Sequence, residues 1–203
     1  MTAVDLYLDP VCPFSWVTSR WLLDAADVSR RPVNLRQMSL AVLNEGQGFD
    51  GQRQQMMERS RRLGRLFAAA VGKHGQDAFG RLYEALGTQL HLRDDELDGD
   101  ELRALLNACG LEESLCEALG DASLDDEVKR SHQASQDSLG GSAGSPVIVV
   151  DGRGFHGPVL TRIPSHEDGV RLLDAIVVAA KIPEFATLQR PTQGPPVLEE
   201  RPR

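Results

Sequence analysis

"DPVCPFSW", residues 9–16, holds one cysteine between two prolines, with a serine where a second cysteine would complete a C-x-x-C pair. Upstream, Val4, Leu6 and Leu8 alternate with Asp5, Tyr7 and Asp9, a period of two that predicts a strand with its polar set on the other face. Downstream, Val17, Trp21, Ala25 and Val28 recur at i, i+4, i+8 and i+11, predicting one apolar stripe of a helix that stops at "RRP". Pro13 suits the first turn of that helix, because its missing N–H would have no intrahelical partner there. Cys12 is therefore predicted in a strand-to-helix turn. Val33, Leu35 and Met38 predict a second strand, and a strand–helix–strand crossover favours a parallel pair.

Farther along, residues 51–139 show helical periodicity and many charges, interrupted by Gly75, Gly87, Gly99, Gly110 and Gly120. After "GGSAGSP" the β-branched run Val147 to Val150, the turn pair Asp151-Gly152 and a short segment through Phe155 read as a hairpin. Ser165 with Asp168 starts a last helix whose predicted stripe is Val170, Leu173, Ile176, Val177 and Ala180. This order is that of an α/β thioredoxin-like fold interrupted by an all-helical subdomain. Residues 1–50 and 140–186 are expected to form the discontinuous thioredoxin-like domain, 51–139 the helical insertion, and 187–203 a Pro-rich tail, extended or disordered.

Composition narrows the chemistry. The 203 residues are 41% hydrophobic and 26% charged, ordinary for a globular chain, and the net charge of -8 disfavours nucleic acid and anionic membranes as partners. The best apolar run, "AIVVAA" near Ile176, is far short of the roughly 20 residues that span a bilayer, and the first residues lack the basic start of a secretory signal. A cytoplasmic protein with reduced thiols is expected, since Cys12, Cys109 and Cys116 are too few for a disulfide framework. Cys109 and Cys116 sit among leucines and are expected to be packed in the interior. His74, His91, His156 and His166 have no metal-ligand spacing, so no metal is expected. "GRGFHG" fits G-x-G-x-x-G formally, but Pro158 follows it instead of a helix, so no nucleotide site is expected. Arg53, Arg59, Arg61, Arg62 and Arg65 read as a solvated basic face that could also attract an anion.

A thiol at a helix N-terminus faces unpaired N–H groups and the positive end of the helix dipole, which favour the thiolate nucleophile; a small buried residue after the strand is the plain alternative for Cys12. Ser15, one turn along, can hydrogen-bond that thiolate but cannot resolve a mixed disulfide, so an external thiol would have to do so. Ser145-Pro146, at the start of the returning strand, stands where a cis-proline would flank the cysteine, with an ordinary turn proline as the plain alternative. Taken with "DPVCPFSWVTSRWLL", "QMSLAVLNE", "KRSH" and "GFHGPVLTRIPSHEDG", in this order and spacing, "GSPVIVVDG" makes the chain resemble the DsbA-like family that includes the actinobacterial mycothiol-dependent nitroreductases.

The resemblance spans most of residues 4–185. It implies a nucleophilic Cys12, a cis-proline at Pro146 and mycothiol, or a similar low-molecular-weight thiol, as reductant and partner of a small electrophilic, nitro or disulfide substrate. Catalytic roles fall on Cys12, Ser15 and Pro146. Pro13, Phe14, Trp16, Asn44, His132 and Ser145 are the implied substrate or cofactor contacts, with a capping amide and an exposed histidine as the plain alternatives for Asn44 and His132. Ser15 departs from the C-P-x-C of the redox-active members. It also brings the motif nearer to kappa-class glutathione transferases and chromene carboxylate isomerases. A thiol oxidoreductase is thus expected, with a transferase or isomerase, or a non-enzymatic module binding a hydrophobic ligand beside Phe14 and Trp16, as alternatives.

Overall fold

A computed structural model describes residues 3–93, 98–192 and 194–198. β1 (Val4–Leu8), α1 (Pro13–Ser29) and β2 (Val33–Gln37) form the expected crossover, and β1 and β2 pair in parallel with Leu6 opposite Leu35. β3 (Val147–Val150) runs antiparallel to β1, and β4 (Arg153–His156) antiparallel to β3, giving the sheet order β2-β1-β3-β4. The β3–β4 turn places Asp151 and Gly152 at φ of 50° and 76°, the two positive values that a two-residue hairpin matched to strand twist requires.

Period two in β1 sorts the sheet into two covered faces. Val4, Leu6 and Leu8 pack with Trp21, Leu22 and Ala25 of α1 and with Leu173 and Val177 of α7 (His166–Ala180). Ser165 caps α7 by accepting the Asp168 amide, as its sequence predicts. On the opposite face Met38, Val147 and Val149 meet Tyr7 and Leu139. Leu139 ends α6 (Asp125–Leu139), which lies against β2, β3 and β4. A Cβ on Gly154 would come within 2.6 Å of the Ser138 carbonyl oxygen, so glycine is needed where β4 passes under this helix.

Between β2 and β3 the chain forms the short α2 (Leu40–Leu43), then α3 (Gly51–His74), α4 (Asp77–Thr88), a π-helical turn over Gln89–Arg93, α5 (Gly99–Ala108) and 3₁₀ turns before α6. Their apolar faces join the sheet's core without a break: Phe67, Phe79, Leu82, Tyr83 and Leu86 belong to the same buried cluster as β1 and α1. Trp16 is the junction. It is 5.8 Å from the Tyr83 ring, and a Cβ on Gly87 would lie 2.3 Å from its ring, so α4 can approach α1 this closely only at a glycine.

Several expectations change. Val28, assigned to the α1 stripe, is 49% exposed, because the helix outlasts the surface it packs on. Cys109 and Cys116 are half-buried against the core instead of enclosed in it. The tail does not simply trail away: the Val197 amide donates to the Thr161 carbonyl at 2.8 Å, and Leu198 packs against the main core. Among the described residues no helix is long and apolar enough to cross a membrane.

Candidate active site

The turn carrying Cys12 is tied down on every side before its thiol is considered. Asp9, just past β1, is fully buried although strand alternation groups it with the polar set. The chain bends there, and its carboxylate turns inward to accept the amides of Val11 at 2.9 Å and Leu40 at 2.6 Å and the Ser60 hydroxyl at 2.5 Å. One side chain thus joins the cysteine turn, the start of α2 and the middle of α3. Burial pushes its carboxyl above the ordinary value, while the hydrogen bonds from Ser60, Leu40 and Val11 pull it back.

Cys12 is the N-cap of α1, with Pro13 at the first helical position. Its side chain is 6% exposed, and its thiol donates to the Ser145 carbonyl at 3.5 Å. Burial pushes the thiol up from its ordinary value; the Ser15 hydroxyl and the amides of Ser15 and Phe14 favour the anion, and Asp9 opposes it. The helix N-terminus is therefore present as expected, but desolvation outweighs it in this closed arrangement. The Ser145-Pro146 peptide is cis, as the sequence suggests. Ser15 is fully buried, its hydroxyl 2.5 Å from that of Ser145, which also accepts the Asp9 amide at 2.8 Å.

Other residues singled out in the sequence fall in different settings. Trp16 points inward and is 3% exposed, with the Arg20 guanidinium 4.6 Å above its ring, so it supports the site from beneath. Phe14 and Pro13 are half-buried. The Asn44 amide donates to the Leu40 carbonyl at 2.8 Å, closing α2 as a capping amide does. His132 is buried, not exposed, and its Nδ1 accepts the Ser39 amide at 3.5 Å; burial lowers its pKa. Ser39 lies 3.4 Å from Ser60, which links His132 to the Asp9 network.

A cavity of about 1010 Å³ opens beside the turn, with Val11 and Pro13 in its wall. Met56, Leu63, Leu86, Leu90, Leu102, Leu119 and Leu198 supply apolar surface, and Gln52, Gln54, Gln55, Arg59 and Arg62 of α3 supply amides and guanidinium groups. Part of the basic helix is thus a pocket wall and not only a solvated face. His91 also lines the cavity, donates from Nε2 to the Pro10 carbonyl at 2.9 Å and lies 5.5 Å from the Trp16 ring. Burial lowers its pKa. His91 and Asp9 were missed as site residues. "QLHLR" carries no motif, and the only sign of Asp9 is an acid immediately before proline at a strand's end.

Residues 11–190 match the family model described as Rv2466c-like, mycothiol-dependent nitroreductase Rv2466c. The chain belongs to this family. The uncharacterized protein Rv2286c of Mycobacterium tuberculosis is 30% identical over 193 residues, covering 94% of this chain and 83% of the relative. The crystal structure of a probable DsbA oxidoreductase from Streptomyces coelicolor is similar at TM-score 0.60 and 18% identity, over 94% of each chain. A 2-hydroxychromene-2-carboxylate isomerase structure is similar at TM-score 0.59 and 15% identity, over 86% of this chain and 94% of its own. These likenesses to solved structures carry the thioredoxin-like, DsbA-type fold, and the family the chain belongs to is described as mycothiol-dependent.

Proposed function

We propose that this protein is a monothiol oxidoreductase of a reducing compartment, in which Cys12 attacks a small disulfide and mycothiol releases the product. The observation that carries the reading is the cysteine turn: a thiol at a helix N-cap, a cis-proline partner loop, and a buried serine hydroxyl at the place of a resolving thiol. In the first step the Cys12 thiolate attacks one sulfur of the substrate disulfide. A Cys12 mixed disulfide forms, and the other half leaves as a thiolate that takes a proton from solvent. Mycothiol, as its thiolate, then attacks the substrate-derived sulfur, the Cys12–sulfur bond breaks, and Cys12 departs as the thiolate. The net change is exchange of one thiol for another across a disulfide, with no electrons left over.

The cavity wall suits a polar thiol co-substrate: three glutamine amides, two arginines and Glu58 can meet polar groups, and the leucine surface can meet an apolar substrate body. In this reading Pro13 and Phe14 frame the entrance, Ser15 stabilises the thiolate, and the Ser145-Pro146 loop lies alongside the bound chain. Asn44 and His132 hold α2 through the Leu40 carbonyl and the Ser39 amide. Reduction of bis(2-hydroxyethyl) disulfide with mycothiol as the sole reductant tests the proposal. Turnover that needs both compounds and is lost in Cys12→Ser is expected; turnover undiminished in Cys12→Ser would overturn it and favour a transferase or isomerase that activates the bound thiol directly.

A further inference from the structure

Ser145 touches three parts of the cysteine turn at once. Its hydroxyl accepts the Asp9 amide at 2.8 Å and stands 2.5 Å from the Ser15 hydroxyl, while its carbonyl accepts the Cys12 thiol at 3.5 Å. Both serines are buried, Ser15 completely and Ser145 to 9% exposure. The Asp9 amide can only donate, so one lone pair of the Ser145 oxygen is committed whatever the state of the cysteine.

Counting protons shows what the serine pair can do. The two hydroxyls carry two protons, and their mutual contact uses one. If Ser15 donates, its proton is spent on Ser145 and none is left for the sulfur, which suits the thiol form, whose own proton goes to the Ser145 carbonyl. If Ser145 donates, Ser15 keeps its own proton for the sulfur, which suits a thiolate able only to accept. Hydrogen bonds running in one direction, from the Asp9 amide through Ser145 to Ser15, also polarise one another in a dry interior.

We propose that Ser145 is a positioning residue: its hydroxyl, held by the Asp9 amide, donates to Ser15 and thereby aims the Ser15 proton at the Cys12 sulfur. No covalent bond is made in this step, and the cysteine proton leaves to solvent. The proposal rests on Cys12 reacting as a thiolate. The other ionisable groups around the turn include Asp9 after β1, Tyr83 of α4, His91 in the π-helical turn and His132 of α6, with Arg20 of α1 acting on Tyr83 and Arg59 of α3 on His91. Burial lowers both histidines and raises Tyr83, so these three hold their neutral forms from neutral to mildly alkaline pH.

The rate of Cys12 alkylation by iodoacetamide, followed against pH in a Cys109→Ala, Cys116→Ala background, tests the idea without any reducing thiol or disulfide substrate. Ser15→Ala and Ser145→Ala are each expected to shift the profile upward and slow the neutral-pH reaction about tenfold, the scale of one hydrogen bond to a charged group. Ser15→Ala/Ser145→Ala is expected to slow it no further than Ser15→Ala alone, because Ser145 acts through Ser15. Ser145→Thr and Ser145→Val, alike in shape, give a second comparison, with the threonine expected to match the parent and the valine to match Ser15→Ala. Additive effects of the two alanines, an unshifted Ser145→Ala profile, or equal behaviour of the threonine and valine variants would overturn the proposal. A protein inactive in the turnover assay can still pass this test, so the two ideas fail separately.

Discussion

Cys12 and Cys109 both sit at helix ends, yet their surroundings differ in kind. Cys12 caps the N-terminus of α1 and is enclosed by Asp9, Ser15 and Ser145. Cys109 closes the C-terminus of α5 and is half-buried, its thiol donating to the Arg81 carbonyl at 3.7 Å. Burial raises both thiols. What separates them is the set of groups around the anion: amides and a hydroxyl bonded to it at Cys12, and at Cys109 a helix C-terminus whose dipole opposes negative charge, offset by the Arg81 guanidinium. Exposure alone would choose the wrong cysteine. The polar enclosure distinguishes Cys12, and its neighbours Val11 and Pro13 line the cavity.

Breaking the enclosure should cost the most. Asp9→Ala strips the acceptor from two buried amides and a buried hydroxyl, and is expected to destabilise the fold by about 3 kcal/mol or more in urea denaturation. The milder Asp9→Asn tests the sign of its titration. A carboxyl raised in the fold contributes stability below its unfolded value of about 3.9, and that contribution is lost as pH rises through the folded value. The parent is therefore expected to lose stability over that window relative to Asp9→Asn; a parallel pair of curves would refute the assignment.

Next in size is the support beneath the site. Gly87→Ala drives a methyl group into the Trp16 ring and is expected to cost about 1–3 kcal/mol and to change the tryptophan fluorescence. Unchanged stability would mean that α4 can retreat from α1 without loss. Ser15→Cys sharpens the contrast between one thiol and two. On oxidation this variant is expected to close a bridge between Cys12 and the introduced thiol and to lose two hydrogen masses, since C-x-x-C spacing at a helix start suits a disulfide. Cys109→Ala should do least, with a stability change below about 1 kcal/mol and Cys12 reactivity retained.

Much of this was legible because it is local. The β1–α1–β2 crossover, the Asp151-Gly152 hairpin, the Ser165 cap and the Ser145-Pro146 turn each follow from neighbouring residues whose geometry allows few choices. Asp9 was hidden because alternation assumes that a strand continues, whereas this one bends under α2 and α3 at that residue. His91 reaches the site only because α4 packs on Trp16, a contact spanning more than seventy positions in the chain. The return of Leu198 to the cavity likewise comes with a contact to a distant loop, the Val197 amide donating to the Thr161 carbonyl.

The central claim is that Cys12 works as one thiol with no internal partner. Intact mass and peptide mapping after exposure to a low-molecular-weight disulfide such as oxidised mycothiol test it most directly. The account predicts a single mixed disulfide on Cys12 that persists until free thiol is added; an internal disulfide to Cys109 or Cys116, or an adduct that forms equally in Cys12→Ser, would contradict it.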